Sequence, residues 1–208
     1  MKRILILLLI IISINSFSSI YAQNPNGEFY KYTENYKKRH AIYDLSKTNL
    51  KSFDTVPGFE TQEEKLVISG TIYQSDGITP AEGVILYICQ ADDYGDYNSK
   101  KIDGKRILKH QACIKTDANG NYTFYTFVPG TYWPTRDLQE IHGVIKAPHS
   151  NNAYAVPHFI FDKDPFLKKS CKKKIEKNAL NNILTLKKQD NIHIAKRDFV
   201  LQPYSSTL

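Results

Sequence analysis

The stretch LVISGTIYQSDGITPAEGVILYICQ, from Leu66 to Gln90, decides the fold class. Its opening LVISGTIY alternates apolar side chains with small or polar ones, as a β-strand with one buried face does. QSDGITP is then a cluster of turn-forming residues, and GVILYICQ is a continuous apolar run rich in β-branched residues. A strand, an Asp-Gly turn, a proline-containing link and a buried strand in this order predict two strands of a β-sandwich.

Short segments of the same kind follow as far as Leu201. They are ACIKTD, ANGNYTFYTFVPG, IHGVIKAP, YAVPHFIF and IHIAKRDFVL, and Asn119-Gly120 supplies a tight turn within the second of them. Their spacing of about a dozen residues, with Gly, Pro, Asn and Asp between them, is typical of an antiparallel sandwich or barrel. Only residues 170–182 have a helical pattern. The sequence therefore predicts an all-β protein, with an antiparallel β-sandwich domain over residues 66–208.

The first 22 residues have the pattern of a secretory signal peptide. Lys2 and Arg3 precede an apolar run from Ile4 to Ile12, and Ala22 marks a plausible cleavage point after small and polar residues. The apolar run is too short to span a bilayer, and no later segment is long and apolar enough to do so. The pattern predicts a protein that is exported to the periplasm or the medium, soluble and without stable membrane insertion.

Residues 23–65 are polar and rich in tyrosine and lysine, with little periodicity. We interpret them as an irregular amino-terminal arm or linker, either extended or folded as a short helix on the domain. The formal charge of the chain is +7, and much of the excess lies in KKSCKKKIEK, Lys168 to Lys177. This run is interpreted as a solvated face, because predicted export and the lack of a DNA-binding motif exclude nucleic acid as the partner.

The three cysteines, Cys89, Cys113 and Cys171, leave at least one thiol unpaired. Cys89 and Cys113 lie in predicted strands, so export would permit a disulfide between them, and two free buried thiols are the alternative. No CxxC pair, nucleophile elbow, P-loop, GxGxxG or HExxH motif is present, which excludes the functions that those motifs carry. Asp92 and its acidic neighbours lack calcium-loop spacing and are interpreted as a solvated turn.

A set of polar residues follows the buried strand in a distinctive order. The set comprises GDY (Gly95–Tyr97), PGTY (Pro129–Tyr132), Arg136, the triplet Glu140-Ile141-His142 and FIFDKDP (Phe159–Pro165). In order and spacing it resembles the intradiol ring-cleavage dioxygenase family, which includes the protocatechuate and catechol dioxygenases. The resemblance spans Leu66 to about Pro165, and ILTLKKQDNIHIAKRDFVL resembles the closing strands of small exported members. It implies a sandwich of the transthyretin-like Greek-key type.

The resemblance also implies a metal centre and a reaction. The family holds a non-haem ferric ion with two tyrosines and two histidines, which Tyr97, Tyr132 and His142 match, while Glu140 stands in place of the first histidine. Family function implies an aromatic diol and dioxygen as substrates and a muconate-type diacid as product. Tyr132 matches the ligand that leaves when substrate binds. Arg136 would stabilise negative charge that develops on the ring carbons.

The chemistry of these side chains is compatible with one iron site. Residues two apart on a strand face the same side, so Glu140 and His142 can address one ion while Ile141 enters the core. Anionic oxygen and imidazole are suitable ligands for ferric iron, although a carboxylate adds a negative charge that a histidine would not. If Tyr97 and His142 share an ion, their polar ends must lie within about 8 Å of each other.

A second hypothesis gives the chain no catalytic role. It is then a binding or structural module of the cell envelope that kept the sandwich and lost catalysis, with Glu140 as the visible change. His158, in PHFIFDKDP, has three interpretations: a replacement ligand, a substrate contact, or an ordinary histidine of the core or rim. The particular diol, and whether the chain forms a homo-oligomer, are left open by the sequence.

Overall fold

The computed structural model describes residues 28–177 and 182–203, so the predicted signal peptide lies outside the described residues. The helices are α1 (Ala41–Leu45) and α2 (Lys169–Lys177), and a 3-10 turn spans Phe59–Thr61. The strands are β1 (Phe29–Lys31), β2 (Phe53–Thr55), β3 (Lys65–Tyr73), β4 (Ile85–Gln90), β5 (Ser99–Ile102), β6 (Lys105–Leu108), β7 (Gln111–Lys115), β8 (Asn121–Phe127), β9 (Glu140–Lys146), β10 (Asn152–Phe161), β11 (Ile183–Leu184), β12 (Lys187–Gln189), β13 (Ile192–Lys196) and β14 (Phe199–Val200).

The strands form two sheets that pack face to face. The first sheet has the order β1-β10-β9-β4-β7, with β11 beside β10. The second has the order β12-β13-β3-β8-β2, with β14 beside β3, and β5 and β6 form a separate hairpin. The long central pairs are antiparallel, while β2, β11, β13 and β14 join their neighbours in parallel. The predicted all-β sandwich is confirmed, and the short parallel pairs are an addition to it.

The core lies between the inner faces of the two sheets. Alternate residues of β3, Leu66 and Ile68 among them, are fully buried and meet Phe124 of β8 within the same sheet. Across the interface lie Leu86 of β4 and Ile141 of β9, which are also fully buried. Period-two alternation in LVISGTIY thus builds the second sheet's inner face as the sequence predicts.

The amino-terminal arm packs on the domain through three short elements. β1 pairs with the edge of β10, and β2 pairs with the edge of β8. α1 covers the outer face of the first sheet, where Ile42 and Tyr43 join Tyr87, Val144 and Ala153 in a second buried cluster. The arm thus contains, as α1, the short helix on the domain that was one of its two predicted forms, together with two short strands. It covers part of the sheet face on which Glu140 and His142 also lie.

The remaining sequence-based predictions concern the cysteines and the basic run. Cys89, Cys113 and Cys171 are all free in the structure, as in the free-thiol alternative, with Cys113 buried and Cys89 half-buried. The helix predicted over 170–182 is observed as α2, none of whose residues is buried, and residues 178–181 lie outside the described part. Among the described residues, no helix has the length and apolar character needed to cross a membrane.

His40 should make the stability of the fold depend on pH. Its Nδ1 accepts a hydrogen bond from the Ile42 backbone N–H at 3.2 Å and caps α1, and burial, with Lys105 adding, lowers the pKa of His40 to about 4. The unfolded chain, with a histidine pKa of about 6.5, takes up the proton first as the pH falls. Stability is therefore complete above pH 6.5, and we expect it to fall by about 2 kcal/mol between pH 7.5 and pH 5 in urea unfolding.

The matched control for this effect is His40→Asn. Asparagine also caps helix amino termini but does not titrate, so the variant should lose about 2 kcal/mol less than the wild type over the same pH interval. Equal losses in the two proteins would mean that other groups cause the pH dependence.

Candidate metal centre

Glu140 and His142 lie on the outer face of the first sheet, at the start of β9. Ile141 between them is fully buried in the core, as strand alternation requires. The Glu140 and His142 side chains are half-buried, and Glu140 Oε1 lies 3.4 Å from His142 Nε2. The predicted common direction of these two side chains is therefore present in the structure.

Tyr97 reaches the same point from a different part of the chain. Its hydroxyl oxygen lies 2.7 Å from His142 Nε2, and the two rings meet edge to face with centroids 5.7 Å apart. This distance is well inside the 8 Å within which Tyr97 and His142 can share an ion. Tyr97, Glu140 and His142 thus present three donor atoms to one region of space.

His158 completes the cluster from the neighbouring strand. Its Nδ1 lies 2.9 Å from Glu140 Oε2, and its Nε2 lies 3.2 Å from His142 Nδ1. One donor atom from each of Glu140, His142 and His158 can be chosen so that all lie within 4.8 Å of one another. The His158 side chain is 41% exposed, so His158 is not a core histidine, and the interpretations as a ligand, a substrate contact or a rim histidine remain open.

A β-bulge in β10 places His158 in the cluster. Val156 pairs with Gly143 and Phe159 pairs with Ile141, so Pro157 and His158 together lie opposite a single residue of β9. The extra residue shifts the alternation, so that Val156 and Phe159 both enter the core. His158 thereby turns to the outer face of the first sheet. There it lies beside the ring of His142, the β9 residue opposite it. Simple alternation would place His158 on the same face as Val156.

The electrostatics of the cluster are compatible with a bound cation. Burial, together with Glu140, raises the pKa of Tyr97 far above its usual value, so without a cation Tyr97 stays a phenol. Burial is the largest single influence on Glu140 and opposes its ionisation, but the His158 hydrogen bond together with the electrostatic effects of His158 and His142 lowers the Glu140 pKa. Burial and His158 also lower the pKa of His142. Glu140 is thus a half-buried carboxylate with no lysine or arginine paired to it among the described residues.

The donor atoms have the right chemistry and spacing for an ion. Ligand atoms bound to one metal at about 2.1 Å lie about 3 to 3.5 Å from each other. The distances from His142 Nε2 to Tyr97 Oη and Glu140 Oε1, 2.7 and 3.4 Å, are close to that spacing. Phenol, carboxylate and imidazole together form the mixed oxygen and nitrogen set that iron binds. The residues therefore fit an iron ion.

The loops that carry the two tyrosines are held together through backbone contacts. The Gly130 N–H donates to the Asp92 carbonyl at 2.7 Å. A Cβ at Gly95 would lie 2.2 Å from the backbone nitrogen of Tyr132, and one at Gly130 would lie 2.1 Å from the Asp93 carbonyl oxygen. The glycines of the GDY and PGTY motifs are thus needed for the close approach of the two loops.

Asp92 organises the Tyr97 loop from inside. It is buried, and its carboxylate accepts hydrogen bonds from the backbone N–H groups of Tyr94 and Asp96 and from the Asn98 side chain. The interpretation of Asp92 as part of a solvated turn is wrong, because the loop folds around this carboxylate. An aspartate two residues after a buried strand and shortly before a glycine turn is the sequence signal that could have indicated this role.

Tyr132 and Arg136 lie on the neighbouring turn rather than in the cluster. The Tyr132 side chain is 42% exposed, and among the described residues it makes no hydrogen bond to the cluster. The Arg136 N–H donates to the Tyr132 carbonyl at 3.0 Å, with Arg136 at a φ of +55°. Arg136 is exposed and does not pair with Glu140. Of the four predicted ligands, the structure brings Tyr97, Glu140 and His142 together, and it adds His158.

The sequence was compared with models of protein families and with curated proteins. A family model described as dioxygenase matches residues 35–190, which is more than half of the chain. Among proteins with curated descriptions, none matches the sequence significantly.

Several solved structures share the fold. One is the dioxygenase domain of a novel dioxygenase carbohydrate-binding protein fusion from Streptomyces sp. SirexAA-E, with a TM-score of 0.53 and 24% identity over 68% of this chain and 81% of that one. Catechol 1,2-dioxygenase from Pseudomonas arvilla C-1 has a TM-score of 0.55 and 15% identity over 76% of this chain. An intradiol ring-cleavage dioxygenase from Tetranychus urticae has a TM-score of 0.51 and 19% identity over 69% of this chain and 83% of that one.

The extent of these matches defines what they show. All three sequence identities are below 25%, so the structural likeness shows a shared fold and nothing more. The matched region spans 58% of the Pseudomonas enzyme, less than two thirds of its length. The family model and the shared sandwich thus agree on the class of protein, and the side chains of the cluster must carry any argument about chemistry.

Proposed function

The chain belongs to the intradiol ring-cleavage dioxygenase family, and from that premise we propose that it is a non-haem Fe(III) enzyme. The proposed reaction opens a catechol-type aromatic ring between its two hydroxyl-bearing carbons, with dioxygen as the second substrate. The observation that carries the proposal is the convergence of Tyr97, Glu140 and His142, whose donor atoms lie 2.7 and 3.4 Å from one another around His142 Nε2. These residues come from two separate segments of the chain.

The proposed ligands are Tyr97, Glu140 and His142, with Tyr132 as a second tyrosine. When bound, ferric iron supplies a Lewis acid and electron acceptor for an aromatic diolate, which makes the ring reactive toward dioxygen. Tyr132 suits a replaceable position because its side chain is exposed and its loop is fixed to the Tyr97 loop. Arg136, on the same turn, is the proposed source of positive charge for the reacting ring.

The surrounding residues give the cluster its environment. Ile141 and Phe159 are fully buried beneath it and exclude water from the sheet side, so diol and dioxygen must approach from the exposed side. Glu140 contributes a negative charge where the family has a neutral imidazole. Two phenolates and one carboxylate would already neutralise Fe(III), so a diolate binds at a cost that the family's usual ligand set does not impose.

Glu140→His tests this account of charge. The substitution removes one negative charge within ligand distance, so we expect a stronger iron-tyrosinate absorption band and a rise of about tenfold in kcat/KM for catechol, the equivalent of about 1.4 kcal/mol. The measurements are the visible spectrum of the iron-loaded protein and the steady-state rate of ring cleavage.

Glu64→His provides the matched control, because Glu64 pairs with His193 at 2.6 Å on the other sheet. This variant should leave colour and rate unchanged. A Glu140→His protein that binds iron but has a weaker band and a lower rate would contradict the charge argument.

The second candidate function is a binding or structural module without catalysis, and Glu140 in a histidine position is the observation that favours it. The two candidates differ in a simple property, since an iron-tyrosinate centre absorbs visible light. A purified protein that stays colourless with Fe(III), and does not consume catechol and dioxygen, would favour the module.

Export of the protein is part of the proposal, on the basis of the leader-like residues 1–22. We expect the product recovered from outside the cytoplasm to begin close to Gln23, because Ala22 precedes a typical cleavage point. Intact-mass measurement of that product decides the matter, and a mature protein that still carries Met1 would rule the leader out.

A further inference from the structure

His158 contacts the two proposed ligands of β9 on the sides that face away from Tyr97. We propose that His158 is a positioning residue, which orients both Glu140 and His142 toward the metal through its two ring nitrogens. The inference rests on the proposed metal site and adds a residue that the family's ligand motif does not contain.

The donors and acceptors of the cluster form one consistent chain. His142 Nε2 lies 2.7 Å from the Tyr97 hydroxyl, and if that hydroxyl donates, the proton of neutral His142 resides on Nδ1. That N–H points at His158 Nε2, 3.2 Å away, which must accept. His158 then carries its proton on Nδ1 and donates it to Glu140 Oε2 at 2.9 Å. Every hydrogen bond is satisfied with no charged histidine.

This arrangement leaves the correct atoms free for an ion. With Tyr97 as a phenolate, His142 Nε2, Tyr97 Oη and Glu140 Oε1 would present their lone pairs to one region of space. Both nitrogens of His158 are already engaged, one with each neighbour. A histidine ligand that donates its other N–H to an outer acceptor, with that acceptor held in turn, is the usual way that proteins fix the orientation of metal ligands.

The position of His158 allows its role in orienting the ligands to be tested separately from any role in stability. Its side chain is 41% exposed and it lies on a bulge, so replacing it creates no cavity in the core. His158→Phe keeps a ring of similar size and removes both hydrogen bonds. His193→Phe is the matched control, because His193 also pairs with a glutamate, Glu64, but on the other sheet.

The first test is metal affinity. Loss of an outer partner of a metal ligand typically weakens binding about 10- to 100-fold, so His158→Phe should raise the dissociation constant for Fe(III) by that factor in competition with a chelator. His193→Phe should bind as the wild type does. Equal affinity of His158→Phe and wild type would overturn the proposal.

The second test counts the imidazoles on the metal. In the Cu(II)-substituted wild type, pulsed electron paramagnetic resonance should detect one coordinated imidazole, that of His142, and the same count in His158→Phe. Two imidazoles in the wild type, reduced to one in the variant, would make His158 a ligand and overturn the positioning role.

The third test needs neither iron nor turnover, so it is independent of the proposed reaction. In the metal-free wild type, nitrogen-15 chemical shifts should show His142 protonated at Nδ1, and His158→Phe should shift it toward a mixture of tautomers. Wild-type His142 protonated at Nε2 would overturn the proposal. If His142 has the expected Nδ1 proton but the protein cleaves no catechol, the positioning role stands and only the proposed function is rejected.

Discussion

Tyr97→Phe is expected to remove most of the iron-tyrosinate colour and to lower kcat/KM for catechol by at least about 100-fold, the equivalent of about 2.7 kcal/mol. The substitution deletes a single oxygen, the one that lies 2.7 Å from His142 Nε2. The phenylalanine ring can keep the edge-to-face contact with the His142 ring, so the effect reports the lost ligand rather than lost packing. The measurements are the visible spectrum, the bound iron per chain and the steady-state rate.

Tyr94→Phe is the control from the same loop. The Tyr94 side chain is 74% exposed, and its hydroxyl makes no hydrogen bond to any described residue. Its removal should change neither colour nor rate. Full colour and full iron content in Tyr97→Phe would place the metal somewhere other than in the cluster of Tyr97, Glu140 and His142.

Gly130→Ala is expected to separate the loops that carry the two tyrosines. A Cβ at Gly130 would lie 2.1 Å from the Asp93 carbonyl oxygen and 2.8 Å from the Tyr94 backbone nitrogen, and neither backbone atom can rotate away as a side chain would. The overpacking should cost about 1 to 3 kcal/mol of unfolding free energy. Since the two loops must move apart, iron affinity should fall together with the free energy of unfolding. Urea unfolding and chelator competition measure the two effects.

Gly77→Ala distinguishes this clash from a general glycine effect. Gly77 has a φ of +73°, but of the atoms that the structure describes, a Cβ there would meet only Val200 Cγ2, at 4.0 Å. Its replacement should cost about 1 kcal/mol through backbone strain and leave iron affinity intact. If Gly130→Ala were as stable as the wild type and bound iron equally well, the loop contact would have no part in building the site.

Part of the site could be predicted from sequence because it follows from strand alternation. Glu140 and His142 share a face since they are two apart on a strand, and Ile141 between them is an apolar residue suited to the core. Tyr97 was placed near them through the order of motifs that it shares with the dioxygenase family. Strand alternation and the order of motifs can both be read from a single sequence, so the convergence of Tyr97, Glu140 and His142 could be predicted.

His158 and Asp92 show where sequence reasoning stopped. The sequence left the role of His158 open, and strand alternation alone would place it on the same face as Val156, which enters the core. The bulge reverses that assignment, and it depends on how β10 pairs with β9, which no single segment encodes. Asp92 looked like a surface acid because its three hydrogen-bond donors become neighbours only when the loop closes. The bulge is a consequence of strand pairing, whereas the Asp92 hydrogen bonds form within its own loop, at separations of two, four and six residues.

The bulge in β10 also affects how the molecule meets other molecules. At its outer edge, β10 pairs with β1 near Tyr154 and with β11 near Ile160, and within residues 28–177 and 182–203 no strand pairs with the stretch between them, which contains Pro157. Proline offers no N–H, and the Pro157 carbonyl already accepts from Arg197 Nη2 at 2.8 Å. An incoming strand would find no ladder to join there, so this irregularity protects the sheet margin from aggregation.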